Sequence, residues 1–336
     1  MASIPFGWAI VGPGAIAATF ARALRGVDGA RLQAIWGRDA HKAQEFARRL
    51  GLDAHCVTPQ LERLLCDPRV QAVYVATTHD AHAEFAARAL AAGKPVLCEK
   101  PMSLCEADTR RLCAISREHG VFLMEALWTR MLPLYRELAK RLRAGAIGEL
   151  RSVHSSFCFV TPYAARSRLF DPARGGGALL DIGVYNIAMS RWAVQCTQHA
   201  PASVVSRALH SRLAPGGVDV ADVGSLRFDG GVLAQFTCAF DRAGANALEL
   251  QGSDGCVRVP RDFWSAQQAE HIHADGRCES LHLAHAVNGF EYQIAEAMRC
   301  VRAGLRESPC MPHEESVALA RELDALRALA QVAGGA

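Results

Sequence analysis

Apolar positions along this chain follow two rhythms, and the change between them divides it. From residue 6 to 125, short runs that are apolar at nearly every position alternate with longer stretches of helical spacing. The runs predict buried strands over 6–11, 32–36, 70–76, 95–98 and 121–125. Between them the spacing predicts helices over 17–24, 40–50, 81–92 and 105–119. In the second of these, Ala43, Phe46, Ala47 and Leu50 share one face. Gly93 and Gly120 stop the last two. Short apolar strands separated by helices pair in parallel with right-handed crossovers, so this block predicts an α/β fold with a doubly wound parallel sheet.

After residue 125 the rhythm lengthens. A helix over 134–142 precedes alternating strands over 151–160, 203–211, 218–228 and 232–240. The last two flank Asp229-Gly230, a hairpin signature, and Ser253-Asp254-Gly255 marks a second turn of that kind. Further helices are predicted over 179–192, 289–303 and 314–330, the last with no partner that the pattern identifies. The expected domains are therefore 1–125 and 126–336, the second an α+β unit on a mostly antiparallel sheet.

The 336 residues suffice for two hydrophobic cores. Lysine and arginine number 37 against 34 acidic residues, and a formal charge of +3 gives no case for nucleic acid or a membrane surface. No apolar run approaches the roughly 18 residues of a membrane span. A strand beginning at Phe6 leaves no room for a leader, so a cytoplasmic protein is expected. The 12 cysteines form no CxxC pair. Cys98, Cys113 and Cys238 fall in apolar runs, where a thiol packs as a small hydrophobe, and disulfides are not expected. The best local histidine pair, His271-x-His273, is explained by strand alternation without a metal.

Chemistry enters at the first turn. The first strand runs straight into Gly12-Pro13-Gly14-Ala15-Ile16-Ala17. Strand, glycine turn and helix in that order are what a dinucleotide's pyrophosphate requires. Gly12 permits the tight turn, Gly14 lets backbone N–H groups approach the phosphates, and Ala17 is small enough for helix-on-strand packing. Ala15 and Ile16 of this turn are expected at the cofactor, and the helix that follows faces the anion with its positive end. A preference for NAD calls for a carboxylate where the second strand ends. The chain has Ile35-Trp36-Gly37-Arg38 there, with Lys42 one helical turn on. Two cations at that spot suit a ribose 2′-phosphate, so NADP is expected rather than NAD. Asp39 either caps the next helix or binds a ribose.

Two more stretches stand out. Glu99-Lys100-Pro101 ends a parallel strand on the side where open sheets bind ligands, so Lys100 is either poised over a crevice or an ordinary surface charge. Gly175-Gly176-Gly177 precede an apolar helix in which Asp181 and Tyr185, four apart, lie on one face. A tyrosine titrates at about 10 and exchanges protons near neutrality only where a cation favours the phenolate. Otherwise Tyr185 is a packed ring.

Together with Thr77-Thr78-His79-Asp80-Ala81-His82 and the run from Gly93 to Pro101, these pieces resemble one family over nearly the whole chain. It is the glucose–fructose oxidoreductase, inositol dehydrogenase and MocA (Gfo/Idh/MocA) family of NAD(P)-dependent oxidoreductases. Many relatives carry histidine where Tyr185 stands. Tyrosine there, and Met124-Glu125-Ala126-Leu127-Trp128-Thr129-Arg130, are similar to the branch of dimeric dihydrodiol dehydrogenase and NADP-dependent D-xylose dehydrogenase. The resemblance implies a Rossmann domain followed by an open-faced sheet often used for dimerisation. It also implies Lys100 and Tyr185 as the catalytic pair, Asp181 orienting or touching substrate, and Thr77 and His79 at the cofactor. His82 caps a helix or contacts the cofactor; Glu99 holds the nicotinamide ribose or fixes Lys100. Trp128 and Arg130 would reach the substrate, with Phe157, Phe159 and Tyr163 completing an aromatic wall for a flat ring face. Core packing is the alternative for each aromatic, and Arg166 and Arg168 are assigned to a loop or dimer contact.

The expected function is hydride transfer between NADP and a secondary alcohol or sugar hemiacetal, an aldose such as D-xylose or a trans-dihydrodiol. An ammonium from the front half and a phenol from the back half would converge beside the nicotinamide. The other readings are an NAD-linked, inositol-type polyol dehydrogenase and a non-catalytic NADP-binding redox sensor. A small-molecule substrate, a homodimer and no metal complete the expectation.

Overall fold

The computed structural model describes residues 5–333. The chain forms two compact units, one from residues up to Trp128 with 286–320, the other from 129–285 with the chain's end. The first unit opens with β1 (Phe6–Val11), α1 (Ala15–Leu24), β2 (Ala30–Trp36), α2 (Ala40–Arg49) and α3 (Leu61–Cys66). It continues through β3 (Ala72–Val75), α4 (His79–Ala91), β4 (Val96–Cys98), α5 (Glu106–His119) and β5 (Leu123–Glu125). The strands lie in the order β2-β1-β3-β4-β5, all parallel, which is the doubly wound sheet expected. Both faces of β1 are covered, so all six of its residues are buried. Phe20 of α1 stacks on Tyr74 at 3.9 Å, with Trp8 edge-on to Phe20. Ala9, Val11, Val73 and Val75 belong to the core that includes Leu64, Phe85 and Leu112. The short helix α3 escaped the sequence reading, although Leu61, Leu64 and Leu65 are its buried face.

The second unit contains α6 (Pro133–Arg143), β6 (Leu150–Cys158), a π-helical turn (Leu179–Gly183), α7 (Val184–Gln198), β7 (Val204–Leu213) and β8 (Asp219–Phe228). It goes on to β9 (Leu233–Ala239), β10 (Leu248–Gly252), β11 (Gly255–Val259), β12 (Gln268–His273) and β13 (Cys278–His282). Its eight strands run β13-β12-β11-β10-β6-β9-β8-β7; β6 and β9 pair in parallel and every other neighbour is antiparallel. Tyr135 of α6 meets Trp192 of α7 edge-on at 5.2 Å, and the Tyr135 hydroxyl donates to the Phe263 carbonyl at 2.6 Å. Val205 and Val223 are half exposed. His271 and His273 lie on β12 as alternation predicts. Their ligating atoms and those of Glu279 fall within 4.8 Å of one another, but Arg141 and Arg277 both pair with Glu279 and oppose a cation there.

The sequence reading ran the second domain unbroken from 126 to 336, whereas 286–320 returns to the first unit. The return brings α8 (Phe290–Arg302) along α1, and Asn288 Nδ2 donates to the Thr19 carbonyl at 3.0 Å. The Leu123 N–H, on β5, donates to the Arg306 carbonyl at 2.9 Å, so the return segment satisfies an edge strand that would otherwise be unpaired. α9 (His313–Ala333), for which the pattern gave no partner, sends Val317 into the first unit's core. Among the described residues no helix is long and apolar enough to cross a membrane.

Candidate active site

In the first unit the β1–α1 turn is shaped by two glycines with different tasks. Gly12 has φ +95°, and a Cβ there would lie 2.7 Å from the Ala76 carbonyl oxygen and the Thr77 nitrogen. Only glycine lets this turn lie against the β3–α4 turn. Gly14 precedes α1 in an extended conformation, and a Cβ there would meet nothing within 4 Å. No side chain caps α1, its first turn holds no acid, and Ala17 is fully buried against the sheet. An uncapped helix start above an open glycine fits a dinucleotide pyrophosphate.

A Cβ on Gly37 would sit 2.8 Å from Pro13 Cδ, so the turn after β2 packs on the turn after β1. Arg38 beside it is exposed and makes no hydrogen bond or ion pair among the described residues. Asp39 resolves as the cap of α2: one oxygen accepts the Lys42 N–H at 3.1 Å and the other lies 3.7 Å from the Lys42 ammonium. The Lys42 N–H holds the Asp39 carboxyl below the usual carboxylate range.

The turns after β3 and β4 are tied together by His82, which is 1% exposed. Its Nδ1 lies 2.8 Å from the Pro101 carbonyl and its Nε2 3.2 Å from the Thr77 carbonyl. Burial above all pushes its pKa down to about 3, so the ring is neutral and its one proton serves the shorter contact. With both ring nitrogens against backbone carbonyls, His82 holds the turns after β3 and β4 in register. Glu99 is buried; it accepts from the Tyr74 hydroxyl and from the Lys100 N–H at 3.2 Å. The second contact fixes the Lys100 backbone. The chain of support therefore runs from Phe20 through Tyr74 and Glu99 to Lys100, which is half-buried. The Lys100–Pro101 peptide is cis. Thr77 is half-buried, and His79 is buried with its ring 5.6 Å from that of His82. Trp128 is buried and packs at 4.7 Å on Phe290.

In the second unit, Asp181 lies inside the π turn and Tyr185 in the first turn of α7, where the sequence predicted one unbroken helix. π turns inside helices are frequent at functional sites. Asp181 Oδ1 accepts from the Arg168 guanidinium at 3.0 Å. That partner was missed, because the two lie thirteen residues apart with a short turn between them and spacing gave no sign of it. Phe157 lies 5.7 Å from the Tyr185 ring and stacks on Trp264 at 3.5 Å, nearly parallel. Trp264 was also missed. Phe159 packs on Phe240 and Tyr163 on Phe170, and Phe170 meets Phe240 edge-on at 6.0 Å, so these two rings belong to one cluster. Arg130 is buried and donates to the Ala188 carbonyl at 3.1 Å and to Gln195 at 3.4 Å, which ties it to α7.

The comparisons agree with both halves. Residues 6–127 match the model for an oxidoreductase family with an NAD-binding Rossmann fold, and 135–258 match the GFO/IDH/MocA C-terminal domain. Mouse trans-1,2-dihydrobenzene-1,2-diol dehydrogenase is 32% identical over 330 residues, 95% of each chain. KijD10, a 3-ketoreductase from Actinomadura kijaniata solved with NADP and TDP-benzene, is 32% identical at a TM-score of 0.81, covering 96% of this chain and 97% of that one. Variants of it changed at one tyrosine and at one lysine were also crystallised. The aldose–aldose oxidoreductase of Caulobacter crescentus shares the fold at a TM-score of 0.86, 24% identity and 98% coverage of both chains. This chain belongs to the Gfo/Idh/MocA family of oxidoreductases.

Proposed function

We propose that the protein is an NADP-dependent dehydrogenase moving hydride between the nicotinamide and a secondary alcohol or sugar hemiacetal, with trans-dihydrodiols or aldoses as the substrate class. One observation carries the reading. Tyr185, beside the Phe157–Trp264 stack, follows the Asp181–Arg168 ion pair by one turn. That assembly offers a hydroxyl for proton exchange, a flat apolar shelf for a ring face, and a charged pair to hold neighbouring hydroxyls. The named relatives act on a dihydrodiol or reduce a ketone with NADP, which fits such a site.

The α1 N-terminus from Gly14 through Ile16 would hold the pyrophosphate, Arg38 the 2′-phosphate, and Thr77 and His79 the nicotinamide side. The nicotinamide, when bound, supplies the hydride acceptor or donor. Tyr185 takes the substrate hydroxyl proton on its own oxygen, and the Lys100 ammonium favours the ionised phenol, with Glu99 fixing the Lys100 backbone. In the reverse direction Tyr185 returns that proton. Asp181 and Arg168 orient the substrate. Lys42 adds little, since its ammonium is exposed and faces Asp39. The proposal extends to a homodimer built on the half-exposed Val205 and Val223 of the second sheet. A panel of aldoses and diols, followed by NADPH absorbance, tests the reading together with Tyr185→Phe. Turnover of a panel member, cut at least about a hundredfold in the variant with NADPH binding intact, supports it. Normal turnover in Tyr185→Phe removes the assignment.

A further inference from the structure

Strand β8 carries two carboxyls that the mechanism above does not use. Asp219 and Asp222 are three apart, a spacing that in a regular strand turns them to opposite faces. Here β8 is irregular: Arg212 and Leu213 of β7 stand opposite Ala221 and Asp219, with Val220 skipped. The extra residue brings both acids to one face. Asp222 is 1% exposed and lies between Ser211 of β7 and Cys238 of β9. The Ser211 hydroxyl donates to its Oδ1 at 2.5 Å, and the Cys238 thiol lies 3.5 Å from its Oδ2. Asp219 is within hydrogen-bonding reach of Asp222 and accepts the Leu179 N–H at 2.6 Å.

The covering segment is cut to fit this pair. Gly177 has φ +117°, and a Cβ there would overlap the Asp219 carboxyl. At the other end of the π turn, a Cβ on Gly183 would lie 2.9 Å from the Cys238 sulfur. The turn bearing Asp181, and leading directly into Tyr185, is thus gripped at its start by Asp219 and at its end by Cys238, with Asp222 bonded between them. A buried carboxyl beside a second, half-buried one resists ionising alongside it. Burial first, and then Asp219, push the Asp222 carboxyl up to about 8, so it keeps its proton at neutrality and can donate it to Asp219. Burial and Asp222 push the Cys238 thiol well up, so it stays neutral. Cys158 of β6, raised by burial, lies beyond Cys238, and the Asp181–Arg168 pair rides on the covering segment itself.

We propose that Asp219 and Asp222 form a proton-sharing clamp that positions the π turn, and with it Asp181 and Tyr185, for the reaction. Both are positioning residues and touch no substrate. The clamp's catalytic consequence rests on Tyr185 being the acid–base group; its structural effect does not. The test uses the full chain without cofactor or substrate, by hydrogen exchange read over residues 177–186 and corrected for intrinsic rates, from about pH 6 to pH 10. Wild-type protection should fall by about tenfold as pH rises through the region where Asp222 ionises. Asp222→Asn, which keeps the shape and a donor but cannot ionise, should hold its protection throughout. Asp222→Ala should be loose at every pH. In turnover, the fall in kcat above about pH 8 should vanish in Asp222→Asn, while Asp222→Ala loses at least about tenfold. Protection that ignores both pH and Asp222→Asn, or an asparagine variant as loose as the alanine one, overturns the clamp. If Tyr185→Phe keeps full turnover while the exchange pattern holds, the catalytic reading fails and the clamp stands.

Discussion

Replacing Gly12 and Gly14 by alanine, one at a time, should separate folding from cofactor binding within three residues of chain. At Gly12 the φ of +95° costs an L-residue about 1–2 kcal/mol. The added carbon, 2.7 Å from the Ala76 oxygen and Thr77 nitrogen, forces a backbone shift of about 1–3 kcal/mol more. The sum, about 2–5 kcal/mol, corresponds at roughly 2–4 °C per kcal/mol to a Tm lowered on the order of 10 °C. At Gly14 the φ of −103° is ordinary and a Cβ meets nothing. Stiffening the unfolded chain gains about 0.4–1 kcal/mol, and alanine as a poorer N-cap loses roughly as much, so Tm should barely move. The new methyl would instead occupy the space above the uncapped α1 terminus. Losing one N–H bond to a charged phosphate costs about 1.5–3 kcal/mol, roughly ten- to a hundredfold in Kd. Calorimetry and NADPH fluorescence titration read the two effects. If Gly14→Ala loses as much Tm as Gly12→Ala and binds NADPH normally, the pyrophosphate does not lie at this turn.

Arg38→Ala should weaken NADP by about ten- to a hundredfold while leaving NAD nearly unchanged, since one charge-assisted contact is removed. Equal losses for both cofactors would mean that Arg38 does not meet a 2′-phosphate. His82 makes an acid-stability prediction: its folded pKa of about 3 lies below the ordinary value of 6.5, so the unfolded chain takes the proton first. Its stabilisation is full above about pH 6.5 and is lost as pH falls toward 3, with a slope of up to about 1.4 kcal/mol per pH unit. Urea unfolding at stepped pH should show that slope reduced in His82→Asn; identical slopes in variant and parent would rule out a neutral buried ring.

Elements whose signal is local were legible in the sequence. The strand 6–11 appears with those bounds because six consecutive apolar residues ahead of a glycine turn leave little choice. The Asp229-Gly230 and Ser253-Asp254-Gly255 turns likewise sit in hairpins, between β8 and β9 and between β10 and β11. β12 and β13, with the sequences QAEHIH and CESLH, were not delimited, since their polar residues hide the alternation that tertiary pairing rewards. In the site, the glycine turn could be read, because strand and turn geometry fix it, whereas the π turn carrying Asp181 interrupts the helix expected over 179–192. Arg168, Trp264 and the bulge that aligns Asp219 with Asp222 could not, since each depends on chain segments far apart meeting in the fold. The burial of Arg130 was hidden for the same reason. A cation just after a Rossmann strand looks exposed, and only the fold shows it buried and bonded to α7.

The central claim, that Lys100 and Tyr185 act as one acid–base pair, is tested most directly by a double-mutant cycle on kcat at saturating cofactor and substrate. Lys100→Met and Tyr185→Phe should each lose at least about a hundredfold, and the double variant scarcely more than the worse single one. Losses that multiply in the double variant would show two independent roles and contradict the account.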